Sequence, residues 1–541
     1  MSDALGNNSV ATEKFDNNGS RYYELPMGEK LKDQKTIIYK IPDRVIPVIF
    51  LPGVMGSNLM NGDGESIWKV DGKMSMIVWA GRGAAKRKKL LNLKKTVVDP
   101  DGKIETEGSE EELVLFSSRR ARGWGEVGAM SYGTFLPWLQ EALNDHQTMF
   151  TNKSTQNGKK TLREQLMLMP LNAELGESQL SHAEVALSYK YLFPVHAVGY
   201  NWLQSNGDSA AALSIRIDKI IADYKVSGRK CEKVILVTHS MGGLVARYYS
   251  EILEGNNGDK KILGVVHGVM PNLGSPMTYK RMKTGEAGTT GAVIGANGAE
   301  MTAVLAQSPG PLQLLPGTAY EKGWLRIDGL HQLLPKSDPY TEIYTKRSAW
   351  WALCEDRFIN PENEKMDKSQ LEKDWLLYKD IINGKVRGVI EGLHGHFHKN
   401  TYAFYGNDGG EYPSYSSLRW LDISSKNMTD AYKEKVTSEG GIFYPSDVYN
   451  KTTRFAGMTT ADKGNVYRKF ELLPPKDPGD GTVPVSAAVI NSPNLQAQLG
   501  VGVDHEGAYG TKNTNDARWF TLRSIIKIAQ AVNGTGLKYD N

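Results

Sequence analysis

One segment constrains this chain more than any other: Val234-Ile-Leu-Val-Thr-His-Ser-Met-Gly-Gly-Leu-Val-Ala-Arg247. Its four leading apolar residues read as a short buried strand, and the run after Gly242-Gly243 reads as a helix. A strand that passes into a helix across Thr238-His-Ser-Met-Gly242 is a nucleophile elbow, a sharp turn that lifts one serine, Ser240, to the carboxyl end of a sheet. Small residues flank such a serine because the backbone is crowded there. The helix N-terminus behind it favours developing negative charge. Thr238 stands where the G-x-S-x-G pattern has its first glycine, which tightens packing at the elbow.

An elbow needs a sheet to sit on, and the surrounding pattern supplies one. Arg44–Leu51, Phe193–Val198 and Ile262–Val269 are short apolar runs bounded by turn residues, and helical patterns follow at Asp208–Tyr224 and Met241–Leu253. Strands alternating with helices predict an α/β fold, a mostly parallel sheet with helices on both faces. Arg518–Val532 has helical spacing and should be the closing helix. Two long stretches, about 60–190 and 277–400, exceed what a structureless loop spans in a compact domain and read as cap or lid insertions. Residues 1–43 are polar and unpatterned and read as an N-terminal extension, leaving 44–541 as the α/β core with its insertions.

A serine is a poor nucleophile near neutral pH unless a base, itself oriented by a carboxylate, takes its proton. In this fold the chain order is serine, acid, histidine. Of ten histidines, the one nearest the C-terminus is His505, in Gly502-Val-Asp-His-Glu-Gly507 shortly before the closing helix. Upstream of it, Asp477-Pro-Gly-Asp-Gly-Thr-Val-Pro484 offers Asp480 as the acid. Asp477 is a local competitor, with Asp504 and Asp408 further behind. For the oxyanion, the N–H of Met241 follows the nucleophile, and the glycine-bearing loop Leu51–Leu59 offers that of Val54.

In order along the chain, Phe50-Leu-Pro-Gly-Val-Met-Gly-Ser-Asn-Leu59, Gly199-Tyr-Asn-Trp202, Thr238-His-Ser-Met-Gly242, Pro271-Asn-Leu-Gly-Ser-Pro276, Gly479-Asp-Gly-Thr-Val-Pro484 and His505 resemble the lecithin:cholesterol acyltransferase-like lipases. The resemblance covers about 45–275 and 477–530. It implies an α/β-hydrolase fold with Ser240 as nucleophile, Asp480 as acid, His505 as base, and Val54 and Met241 as oxyanion donors. Where eukaryotic members read Tyr-Asp-Trp-Arg, this chain has Tyr200-Asn-Trp-Leu203, so the arginine's headgroup role does not transfer. Ser308–Pro316 and Gly274–Pro276 further resemble bacterial type VI secretion lipase effectors. That likeness implies a membrane phospholipid substrate, an immunity protein and a secretion spike or adaptor as partners, and synthesis in the cytoplasm before delivery to the periplasm of target cells. An acyltransferase, or a non-catalytic toxin carrier or binding module on the same fold, remains as an alternative.

The remaining features narrow the field. A formal charge of +4 over 541 residues argues against a nucleic-acid partner. The start, MSDALGNNSVATEKFDNN, lacks the basic-then-apolar pattern of a secretory signal, and no run reaches the ~18 apolar residues of a membrane span. Two cysteines, Cys231 and Cys354, cannot form a disulfide framework or a four-thiolate zinc site. No cofactor is expected. His394-Gly-His-Phe-His398 would place three imidazoles on one face if it were a strand, although no carboxylate or thiolate completes a metal site. Asp99-Pro-Asp-Gly102 is a turn. Lys86–Lys89 is a solvated basic run open to anionic headgroups. Pro271–Pro276 is an expected lid hinge, with Trp350-Trp351 as either its interfacial contact or cap core.

Overall fold

In the computed structural model, residues 13–15, 21–26, 35–39, 41–69, 71, 78–145, 160–167, 169–173, 178–255, 260–330, 333–425, 428–443, 452–460, 464–510 and 516–539 are described. The centre is a six-stranded parallel sheet built from β1 (Val48–Leu51), β2 (Val195–Ala197), β3 (Val234–His239), β4 (Ile262–Gly268), β5 (Thr401–Gly406) and β6 (Leu495–Val501), in the order β2-β1-β3-β4-β5-β6. The apolar runs are near-continuous because both faces are covered. Val48 and Phe50 of β1 point into one core with Val237 and Phe404, while Ile49 and Leu51 point into the other with Leu236.

The order reverses beside β1, which puts the crevice at the carboxyl ends of β1 and β3, where open α/β sheets bind ligands. The Ser240 turn and the Gly53–Gly56 loop both open there. One face is covered by α3 (Asn206–Val226), whose buried Ala210, Leu213, Ile217, Ile220, Ile221 and Tyr224 fall at helical spacing and whose N-terminus is capped by Ser205. The other is covered by the closing helix α6 (Asp516–Ala529) and by α2 (Phe135–Leu143). The latter lies inside the first expected insertion. That excursion therefore supplies a layer of the sandwich as well as covering structure, which includes α1 (Ala84–Leu90) and a small sheet of Leu59–Asn61, Ser66–Trp68 and Thr96–Val98. Within the expected N-terminal extension, Glu13–Phe15, Arg21–Pro26 and Lys35–Tyr39 pair antiparallel, and apart from 41–43 the rest of it lies outside the described residues.

The cap draws on more chain than 277–400. A further excursion leaves β5 after Gly406 and returns at the Asp480 loop, and its strands complete a five-stranded sheet in the order Leu325–Ile327, Leu418–Asp422, Gly464–Leu472, Thr453–Thr460, Gly441–Phe443. Antiparallel bridges Asp408–Gly479 and Ser414–Asp477 close the neck of this excursion. Trp350 and Trp351 are buried at 0% and 5% exposure, with the Trp350 ring stacked on Phe470 at 4.3 Å, so they form cap core and not an interfacial contact. The expected hinge is clamped: Ser275 N–H donates to Leu314 O at 2.7 Å, and a Cβ on Gly274 would lie 2.4 Å from Leu315 O. Among the described residues no helix is long and apolar enough to cross a membrane.

Candidate active site

Ser240 sits at φ 51°, a left-handed conformation that a non-glycine residue holds only where its surroundings enforce it. The surroundings are specific. Its N–H donates to Gly268 O at 2.9 Å, and α4 (Gly242–Arg247) begins two residues on. A Cβ on Gly242 would lie 2.6 Å from both Leu51 O and Pro52 O, so only glycine allows helix and β1 loop to approach this closely. Thr238 is accommodated because its hydroxyl finds a partner 3.0 Å away in His267 Nδ1, both being buried.

Three of the expected residues meet in a line. Ser240 Oγ lies 2.8 Å from His505 Nε2, and His505 Nδ1 lies 2.8 Å from Asp480 Oδ2. With Nδ1–H donating to the carboxylate, Nε2 is the acceptor facing the serine hydroxyl. The other carboxylate oxygen, Asp480 Oδ1, accepts the N–H groups of Thr482 at 2.9 Å and Val483 at 2.7 Å. Gly406, at the end of β5, makes room for the acid: a Cβ there would lie 2.3 Å from Asp480 Cβ. The rival carboxylates cap turns instead. Asp477 Oδ2 accepts from Ser416 N–H, Asp408 Oδ1 from the N–H groups of Gly410 and Glu411, and Asp504 Oδ2 from Gly507 N–H.

Val54 lies in the Gly53–Gly56 turn lining the same cavity as Ser240, and Met241 is the N-cap of α4. Among the described residues neither N–H has a hydrogen-bond partner. The turn is held at both ends: Gly53 N–H donates to Tyr132 Oη at 3.0 Å, and Met55 O accepts Trp68 Nε1–H at 2.8 Å.

Sequence reasoning did not single out Tyr132 or give a role to His239. His239 Nε2 lies 2.7 Å from His505 O, and since a carbonyl only accepts, Nε2 carries the proton. Burial, reinforced by the neighbouring His505, holds the His239 imidazole down to about 3, so it is neutral and its bare Nδ1 accepts the Tyr132 hydroxyl at 2.9 Å. Burial pushes the Tyr132 phenol well up, which keeps it protonated as that donor. One chain of hydrogen bonds thus joins the β1 loop, the residue before Ser240 and the backbone of His505, whose own N–H donates to Asp480 O at 2.9 Å. The histidine of His-Ser-Met-Gly was the available signal. Tyr132, more than a hundred residues upstream, had none.

The cavity over Ser240 has a volume of about 360 Å³, within the ~300–1,000 Å³ of ligand pockets, with Met55, Met130, Val293 and Ile294 among its apolar lining. The other motifs fall outside it. Arg87 of the basic run is buried and donates to the carbonyls of Ala292 and Val293, and Lys88 Nζ reaches Ile359 O at 2.6 Å. These two cations fasten the two excursions together and are not a solvated face. His394–His398 is a turn after a helix, with His394 and His396 exposed and His398 buried, so the imidazoles do not share a face. No group able to hold a metal occurs among the described residues. In Tyr200-Asn-Trp-Leu203, Asn201 Nδ2 donates to Thr96 O at 2.9 Å and Leu203 is buried.

The model of the lecithin:cholesterol acyltransferase family matches residues 184–403. No curated protein matches the chain by sequence. Among solved structures, the Tle4–Tli4 complex contains a chain similar to this one at 27% identity and TM-score 0.70, covering 90% of this chain and 98% of that one. In fold and in these two likenesses the chain is an α/β hydrolase of the esterase and lipase type, similar to the lecithin:cholesterol acyltransferase family and to Tle4.

Proposed function

We propose that the chain is a serine-dependent phospholipase that cleaves acyl esters of membrane glycerophospholipids. The observation that carries this reading is the Ser240–His505–Asp480 line, 2.8 Å at each step, beneath an apolar-lined cavity. Ser240 Oγ attacks the ester carbonyl as His505 Nε2 takes its proton, and Asp480 stabilises the imidazolium through Nδ1–H. The new alkoxide sits between the N–H groups of Val54 and Met241. Collapse breaks the ester C–O bond, and the imidazolium returns its proton to the leaving lysophospholipid oxygen. Water, deprotonated by the same His505, then attacks the acyl-enzyme and releases the fatty acid and Ser240.

The family match favours one other outcome, transfer of the acyl group to an alcohol in place of water. Products from defined phospholipid vesicles, analysed with and without an acceptor alcohol and for the Ser240→Ala protein, separate the two. Free fatty acid and lysophospholipid that vanish in Ser240→Ala support hydrolysis. An acylated acceptor as main product overturns it.

The proposal extends to an antibacterial effector of the type VI kind that acts in the periplasm of a target cell. It is supported by the likeness to Tle4, a protein solved bound to Tli4, and gives this chain a corresponding immunity protein and a secretion spike or adaptor. A version directed to the periplasm should be more toxic to a bacterium than the same chain kept in the cytoplasm. Equal toxicity in both compartments, or none in either, counts against this role.

A further inference from the structure

Apart from imidazoles, two charged side chains line the cavity over Ser240 among the described residues, and they have opposite sign. Arg281 comes from the cap helix α5 (Pro276–Thr284), and Glu506 directly follows the histidine of the catalytic line. Arg281 Nε donates to Glu286 Oε2 at 3.0 Å, and its Nη2 donates to Thr482 Oγ1 at 3.2 Å, two residues from Asp480. Glu286 also pairs with Lys280 at 2.7 Å. Arg281 thus shares its carboxylate partner with a second cation, and among the described residues its Nη1 makes no hydrogen bond. Glu506 is exposed, accepts a hydrogen bond from Ser131 Oγ at 3.2 Å and has no cation partner among the described residues.

Each charge excludes a class of ester. A neutral acylglycerol would cover both groups and satisfy neither. A phosphate monoanion with an uncharged alcohol suits Arg281 but meets the unpaired carboxylate, a repulsive element of the kind that sets specificity. A zwitterionic headgroup answers both. A trimethylammonium carries no N–H to donate, whereas a primary ammonium donates to a carboxylate.

We propose that this pair selects glycerophospholipids with a primary-ammonium headgroup of the ethanolamine type, the phosphate held by Arg281 with Thr482 and the ammonium by Glu506 with Ser131. The assignment rests on the phospholipase reading and names its headgroup.

The test uses the full chain and mixed micelles of a neutral detergent, each lipid at the same mole fraction; the anionic surface of phosphatidylglycerol micelles would attract a chain of net charge +4 and so works against the expected preference. Phosphatidylethanolamine, phosphatidylcholine, phosphatidylglycerol and diacylglycerol are compared by fatty-acid release, with a soluble short-chain ester alongside. The wild type should favour phosphatidylethanolamine over phosphatidylglycerol by about tenfold in kcat/KM, with phosphatidylcholine between them. Glu506→Gln should bring that ratio to within about threefold and Glu506→Lys should invert it, while Arg281→Gln should lose more on every phospholipid than on diacylglycerol. A purely electrostatic effect of residue 506 on the neighbouring His505 would alter all substrates alike and leave the ratio where it was. Phospholipid cleavage whose ratio survives both Glu506 variants overturns the headgroup assignment and leaves the phospholipase reading standing. Cleavage of the soluble ester with no release from any phospholipid overturns both.

Discussion

Asp480→Asn is the substitution whose outcome the structure specifies most closely. The side chain faces two environments: Oδ1 accepts two backbone N–H groups at 2.9 and 2.7 Å, and Oδ2 faces His505 Nδ1 at 2.8 Å. An asparagine must choose which group receives its NH2. Turned toward Thr482 and Val483, the NH2 would oppose two donors and leave both without an acceptor, at about 1–3 kcal/mol each. The carbonyl therefore stays there and the NH2 meets His505. Nδ1 must then accept, the proton moves to Nε2, and the nitrogen facing Ser240 Oγ becomes a donor that cannot take the serine proton. One carboxyl-to-amide change inverts the base without moving a heavy atom. The expected loss is about 10⁴-fold in kcat, or about 5.4 kcal/mol of barrier. Stability should change by only about 1 kcal/mol, because every hydrogen bond keeps a partner. The assays are kcat on a soluble ester, the rate of serine labelling by a fluorophosphonate, and the denaturation midpoint. Retention of a tenth of wild-type activity, or a larger loss from Asp477→Asn, would refute this account and return the acid role to another carboxylate.

Three further outcomes follow from the same contacts. Tyr132→Phe strands Gly53 N–H and His239 Nδ1, so kcat on a soluble ester should fall by about tenfold or more and stability by about 1–3 kcal/mol for each stranded group; a stability loss with unchanged kcat would make the network purely structural. Trp350→Ala should cost about 3–5 kcal/mol as a core truncation, with equal activity losses on bilayers and on soluble ester, and a loss confined to bilayers would restore an interfacial role. Burial keeps His239 and His267 at about 3 in the folded protein and lowers His196 well below its usual value. The unfolded chain thus binds more protons below about pH 6.5, and stability should fall on acidification by about 1.4 kcal/mol per pH unit for each imidazole until the folded values are reached; a urea midpoint flat between pH 7.5 and 4.5 would contradict this.

The elbow was legible because it compresses strand, turn and helix into fourteen consecutive residues whose types admit few other readings. Chain order then led to Asp480 and His505 without any contact information. Tyr132 reaches the site only through tertiary folding, since nothing near it in sequence marks a phenol that will meet a histidine over a hundred residues away. Trp350 and Trp351 show the reverse: an adjacent pair of indoles suits a membrane surface and a packed interior equally well, and only the partners Phe470 and Trp420 decide. Those partners belong to the excursion after β5, whose strands alternate weakly and pair with residues nearly a hundred positions earlier. In the basic run, hydropathy could not separate Lys86 from Arg87, because the carbonyls that Arg87 satisfies lie on the other excursion.

The closed neck between Asp408 and Gly479 has a consequence for how such a molecule changes over generations. Four main-chain hydrogen bonds at Asp408, Ser414, Asp477 and Gly479 seal the excursion at its root, and Asp480 follows one residue later. A loop tied off at its base adds closure entropy only logarithmically with length, so turns beyond the knot can lengthen or shorten at small thermodynamic cost, while buried Trp420 and Phe470 stay fixed as cap core. The distance from Asp480 to His505 is insulated from those edits. The structure is thereby divided in two: the Ser240–His505–Asp480 line stays with the sheet, while the length of the outer turns can change without disturbing it.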